Sequence, residues 1–196
     1  MGNRPVTNVS WMDAQNYIEW LNAKAGYVDK DANGVNRHPY RYRLATESEW
    51  EYAARAGNTG PFGFQNDAPI SPERARYDWN ESYQGSATRD REYGTTMPVA
   101  SYAPNAWGLY DMQGTAWEWV QDCYEPDYDK TPRDGSAHQG NEVTGEAFRV
   151  LRGGSREDGP ECLRSACRKA DSAVIPYLEE YGFRIARTLR QGDLIP

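Results

Sequence analysis

Apolar residues recur with two different periods along this chain. Trp11, Ala14, Ile18 and Leu21 follow one another at the spacing of a single helical face. Ser10-Trp-Met-Asp13 stands at their start as a capping box with Asp in place of the usual Glu. The spacing predicts a first helix that ends near Ala25-Gly26, where Gly takes the left-handed cap. Thr46-Glu-Ser-Glu49 is a complete T-x-x-E capping box; Trp50, Ala53 and Ala54 continue that helix, and Gly57 ends it. The period then changes. Phe148-Arg-Val-Leu-Arg152 alternates as a strand running into Gly153-Gly154, and Tyr181 to Arg187 alternates as a terminal strand.

The segments between these elements are polar but not featureless. From about 58 to 100 the chain is rich in Gly, Pro, Ser, Asn and Asp, with Phe62, Phe64, Tyr77, Trp79, Tyr83 and Tyr93 interleaved. Those aromatics predict long ordered loops with their own anchors, since a disordered segment would lack them. Residues 125 to 146 form a second polar loop. Asn105 to Trp119 packs three Trp, Tyr110, Asp111 and Glu118 around Gly108 and Gly114, which predicts a rigid core hairpin or loop beside a site. The sum is an α+β fold of two helices, short strands and long ordered loops, in one domain over 1–196.

Composition narrows the function classes. The formal charge is −7 over 196 residues, which argues against nonspecific nucleic-acid binding and against an anionic membrane surface. No apolar run approaches membrane-spanning length, and no signal peptide is visible at the N-terminus. Cys123, Cys162 and Cys167 give an odd count and no closed disulfide framework, so a reducing, cytoplasmic setting is expected. His38 and His138, both in polar loops, are too few for a three-histidine iron site in one protomer. Asp29-Lys-Asp-Ala-Asn-Gly34 matches the opening of an EF-hand loop, but Tyr40 stands where that loop needs Glu, so the segment reads as a polar turn.

Seven blocks occur in order: Pro5 to Trp11 with Asp13-Ala14, Tyr42 to Arg55, Pro98-Val99, Asn105 to Trp119, Arg149 to Ser155, Leu163 to Ala166, and Gly182-Phe-Arg184. Together they resemble the formylglycine-generating-enzyme, or sulfatase-modifying-factor, superfamily across nearly the whole chain. The resemblance implies a C-type-lectin-like fold with short antiparallel strands. It does not fix function, because the superfamily spans copper-dependent cysteine oxidases, iron-oxygenase modules, kinase-attached sensor modules and retroelement-diversified variable binding proteins. In the oxidases two cysteines hold Cu(I), three and eight residues after the Ser of Gly-Gly-Ser. Counting from Ser155 finds Asp158 and Leu163, neither a soft ligand. Cys162 and Cys167 keep the same mutual spacing, displaced by four residues, and are the alternative catalytic pair should a loop rearrangement restore a copper site. The contrary reading makes both of them packing thiols.

The resemblance also implies two structural calcium sites. One carries onto Asp111, Gly114, Ala116 and Glu118, through side-chain and backbone oxygens. The other has Arg76 and, nearby, Arg91 where ligands are expected, and is predicted empty, with Asp78 or Glu92 available to pair with a guanidinium. The sequence thus favours a ligand- or protein-binding module without oxidase activity. Trp117, Ser155, Arg156, Asp158 and Arg164 are the expected groove, with Trp117 as an aromatic wall and the two arginines engaging a carboxylate or peptide. The polar segment Arg156 to Tyr181, with Val174-Ile175 and Tyr177 interspersed, suits a recognition surface. Only four residues precede the Pro5 block, so the usual N-terminal part of the family domain is expected to be missing and supplied by a parent segment or a partner chain. The expected partner is a protein or peptide, not nucleic acid or membrane.

Overall fold

The computed structural model describes residues 2–35, 37–38, 41–88, 96–140, 148–174 and 180–189. Helix α1 spans Trp11–Lys24 and helix α2 spans Glu47–Arg55. Both begin with the reciprocal cap their sequences announce: Asp13 N donates to Ser10 Oγ at 3.0 Å and Ser10 N to Asp13 Oδ2 at 2.9 Å, and Thr46 and Glu49 repeat the arrangement. Gly26 follows α1 at φ +76°, where an L side chain is strained. The buried face of α1 differs from its apolar pattern at one position. Trp11, Ala14 and Ile18 are buried, but the fourth buried residue is Asn22 and Leu21 is only half-buried. Asn22 earns burial by hydrogen bonding both the N–H (2.7 Å) and the carbonyl (2.9 Å) of Tyr42, so it acts as a piece of strand for its neighbour.

The described residues form six strands, in chain order β1 (Tyr42–Leu44), β2 (Trp117–Cys123), β3 (Phe148–Arg152), β4 (Arg168–Ser172), β5 (Tyr181–Phe183) and β6 (Ile185–Arg187). One sheet has the order β4-β3-β2-β5, and β1 with β6 forms a separate antiparallel pair. The expected terminal strand is therefore two strands in two sheets. The break falls at Arg184, whose side chain turns to meet Glu118 on β2. The sheets are mainly antiparallel, as the family likeness implies, but β5 runs parallel to β2 with Trp117 opposite Tyr181. Since β3 and β4 are each antiparallel to the strand before, β4 ends where β2 ends, and β5 can run parallel to β2 only through a crossover connection between β4 and β5.

Among the described residues, three apolar clusters make up the core. Trp11, Ile18, Leu44, Trp117, Trp119, Leu151 and Tyr181 lie between α1 and the sheet, and Trp50, Met112, Val120 and Val150 lie beneath α2. The third belongs to the loops: Phe62, Ile70, Tyr77, Trp79 and Leu163 are buried, with Phe64 and Tyr83 against them. The interleaved aromatics thus anchor the 58–88 segment as expected; Tyr93, Arg91 and Glu92 lie outside the described residues, as do Ile175 and Tyr177. Asp31 folds the Asp29–Gly34 segment into a turn, accepting from Asn33 N and Val35 N and pairing with Arg37 at 2.9 Å. Among the described residues, no helix is long and apolar enough to cross a membrane.

Candidate functional site

The Asn105–Trp119 segment is a tight loop that feeds the central strand. Asn105 is buried, accepts from Trp107 N and Leu109 N, and donates to Ala53 O at 2.8 Å, which pins the loop to α2. Asp111, Gly114 and Thr115 all have positive φ. Gly114 N donates to Gly153 O and Thr115 N to Arg76 O, each at 2.8 Å, so the loop is sewn to the Gly-Gly turn after β3 and to the aromatic loop. Every buried indole has a partner: Trp11 gives to Val120 O, Trp50 to Glu118, Trp79 to Ala75 O, Trp117 to Asp158 and Trp119 to Val9 O.

This loop forms one wall of a cleft, a space of about 750 Å³. Pro5, Val6 and Val9 face it from the N-terminal segment, Val99 and Leu109 from the loops, and Phe183 and Ile185 from the β5–β6 junction. The walls are mostly apolar. The charged side chains lining it, among the described residues, are Asp13, Asp111, Glu118 and Arg184. Glu118 is bound on both oxygens, by Arg184 Nε and Nη2 at 2.5 Å each, and also accepts from Trp50 at 2.7 Å. Arg184 Nη2 reaches the carbonyls of Tyr110 and Asp111 at 3.3 and 3.4 Å. Burial pushes the Asp111 carboxyl above its ordinary range; Ala100 N, donating at 2.7 Å, and Arg184 work against that, while Glu118 adds to it.

Arg184 has no expected role from the sequence, although it stands in the Gly-Phe-Arg block. The signal was a cation at a point where a strand pattern continues through it. The four residues expected to hold calcium do line one cleft. Their oxygens are hard donors, but the charge of Glu118 is already neutralised by a guanidinium that a dication would have to displace. Among the described residues, no group of three or more His, Cys, Asp or Glu side chains is gathered as a metal would need. At the other expected calcium site Arg76 is buried with its guanidinium 4.2 Å from the centre of the Trp79 ring.

The expected groove residues come together differently from the sequence reading. Trp117, Ser155 and Asp158 form one knot: Asp158 Oδ2 accepts from Trp117 Nε1 at 2.7 Å, Ser155 N at 2.9 Å and Ser155 Oγ at 2.5 Å. Trp117 is no exposed wall. It is 2% exposed, because β2 is an inner strand, and Lys169 Nζ covers its ring at 5.3 Å. Arg156 pairs with Glu157 at 3.0 Å with most of its side chain covered, and Arg164 stands exposed at the end of the Pro160–Leu163 turn. None of the five lines the 750 Å³ cleft.

The cysteines separate into two kinds. Cys123 is buried and its thiol donates to Gln139 O at 2.9 Å. Cys162 and Cys167, both half-buried and free, pack on the Trp117–Tyr181 cluster, near enough for each thiol to shift the other. That proximity raises the Cys162 thiol. It holds Cys167 down to about 7 against burial, with Arg164 and Arg152 helping. At the positions where the family holds copper, Asp158 is an oxygen donor engaged in the knot and Leu163 is fully buried. Those positions do not fit a soft metal.

The profile of the sulfatase-modifying factor enzyme 1-like domain matches residues 1–189. The chain belongs to this family. The formylglycine-generating enzyme of Streptomyces coelicolor is 36% identical over 154 residues, which is 78% of this chain and 42% of that protein. PvdO from Pseudomonas aeruginosa superposes with a TM-score of 0.73 at 33% identity, covering 95% of this chain and 63% of PvdO. Variable protein 1 of Treponema denticola shares the fold, with a TM-score of 0.67 at 24% identity. The domain described here thus spans less than half the length of the Streptomyces enzyme.

Proposed function

We propose that this sulfatase-modifying-factor domain is a binding module without the family's copper oxidase chemistry, and that its ligand occupies the cleft between the N-terminal segment and the Asn105–Trp119 loop. The observation that carries this reading is the cleft itself: apolar walls and an edge where Asp13, Asp111 and Glu118 outnumber Arg184. Such a cleft suits a peptide that presents a basic group next to aliphatic side chains. The oxidase alternative loses support at Asp158 and Leu163. Calcium is not required to hold the loop, since Arg184 already spans Glu118 and two loop carbonyls. Chelator treatment is expected to leave the thermal midpoint unchanged; a clear fall would return calcium to Asp111 and Glu118.

Peptides selected from a random library on the immobilised domain should share a basic residue flanked by aliphatic ones. Val99→Lys, on the rim, should weaken them about tenfold or more, equivalent to about 1.4 kcal/mol. Protection of Arg156 to Arg164 alone in hydrogen exchange would sink the cleft reading. Tight Cu(I) binding at one equivalent, lost in Cys162→Ser, would favour the oxidase. Asp111→Asn separates binding from folding. The raised carboxyl means the folded state takes up its proton more readily than the unfolded chain, so this group's contribution to stability falls as pH rises through the raised value. The variant should therefore match or exceed the parent in stability at neutral pH while binding basic peptides less well, measured by calorimetry and thermal melts.

A further inference from the structure

The Cys162–Cys167 pair has no part in the cleft. Its geometry is that of a short returning segment. Pro160–Leu163 is one 3-10 turn; Cys162 N donates to Gly159 O at 3.1 Å and Cys167 N to Arg164 O at 2.8 Å, so the chain folds back within five residues. Both cysteine side chains pack on the cluster that holds Trp117 and Tyr181, and both are partly open to solvent. Lys169 lies over both rings, at 5.3 and 4.9 Å, and Arg164 is exposed between the two cysteines in sequence. Two thiols packed on one cluster and joined by a five-residue turn need little further ordering to join, and cations nearby favour a thiolate.

We propose that Cys162 and Cys167 form a thiol–disulfide exchange site that accepts small, carboxylate-bearing disulfides and closes to an intramolecular Cys162–Cys167 bond. The thiolate of Cys167 attacks one sulfur of the small disulfide; that S–S bond breaks, a mixed disulfide forms, and the leaving thiolate takes a proton from water. Cys162 then gives its proton to water and attacks Sγ of Cys167. The protein disulfide forms and the second small thiolate leaves, to be protonated in turn. Two protein thiols are oxidised to one disulfide and one small disulfide is reduced to two thiols, so atoms and electrons balance. Cys123, buried and donating to Gln139 O, takes no part.

The test incubates the reduced full chain with oxidised glutathione. The expected product is lighter by two hydrogens, retains one titratable thiol and yields a peptide cross-linked between Cys162 and Cys167. Cys123→Ser should close as the parent does. Cys162→Ser should stop at a stable glutathione adduct on Cys167, and Cys167→Ser should react at least about tenfold more slowly. Circular dichroism checks that each variant is folded, and the mapping of the unmodified chain decides the matter even if a variant is not. Three thiols surviving in oxidising glutathione buffer, a bond to Cys123, or glutathione adducts that persist on both residues would each overturn the proposal.

Discussion

Arg152→Ala is expected to lose about 3–5 kcal/mol of folding stability, read as a lowered urea midpoint with little change in slope. Arg152 is fully buried on β3. Its guanidinium reaches Glu47 at 2.5 Å and Glu51 at 2.6 Å on α2, donates to Ser165 O, and faces the Trp50 ring 5.4 Å away. Glu47 is 3% exposed and shares its carboxylate with Arg168 at 2.6 and 2.9 Å. Alanine leaves a buried carboxylate with one cation fewer, an unsatisfied carbonyl and a void. A domain of this kind commonly has about 5–15 kcal/mol in all, so the variant should sit near the edge of folding. Arg152→Lys keeps the charge but loses the planar fork and should recover only part of the loss. Lys30→Ala, which breaks an exposed pair with Glu19, should be indistinguishable from the parent.

Gly114→Ala is the second large effect. Gly114 has φ +81°, and a Cβ there would lie 2.1 Å from the carbonyl oxygen of Arg76 and 3.0 Å from Leu163. The left-handed conformation costs an L residue about 1–2 kcal/mol, and the overlap with backbone adds to it. A total of about 3 kcal/mol or more is expected in chemical unfolding. Arg76 can move away only by breaking its bridge to the loop, where Thr115 N donates to its carbonyl. Gly108→Ala supplies the control. It has nearly the same φ, +79°, with nothing within 4 Å of the added carbon, so it should show the conformational cost alone. The difference between the two variants measures how tightly the loop is held against the aromatic segment. Since Gly114 lines the cleft, a folded Gly114→Ala protein should also bind peptides less well.

The helices were legible in the sequence because their signals are local. A capping residue, its partner three positions on and the apolar spacing all lie within a few turns, and both caps form as written. The loop anchors were legible for a different reason: aromatics in polar surroundings must find a core, and Phe62, Tyr77 and Trp79 made their own. Strand β4 was not legible. Arg168–Ser172 has no apolar alternation, and it pairs with β3 along its whole length with both faces half-covered. Trp117 was misplaced because its aromatic character fits a binding wall as well as a core, and only its place on an inner strand decides between them. Asn22 shows the same ambiguity from the polar side, buried because Tyr42 offers it a complete backbone partner.

The sequence by itself determined the family, the α+β character, both helices with their caps, and the absence of soft ligands at the two positions counted from Ser155. Those properties follow from residue identity and short spacings. Tertiary structure alone decided that Arg184 closes on Glu118, that Trp117 and Ser155 close into a knot around Asp158 while Arg156 and Arg164 stay outside it, and that Cys162 and Cys167 pack on one cluster. Each of these depends on which groups the long crossovers bring face to face, and side-chain chemistry at a distance of many residues leaves no periodic trace in the chain.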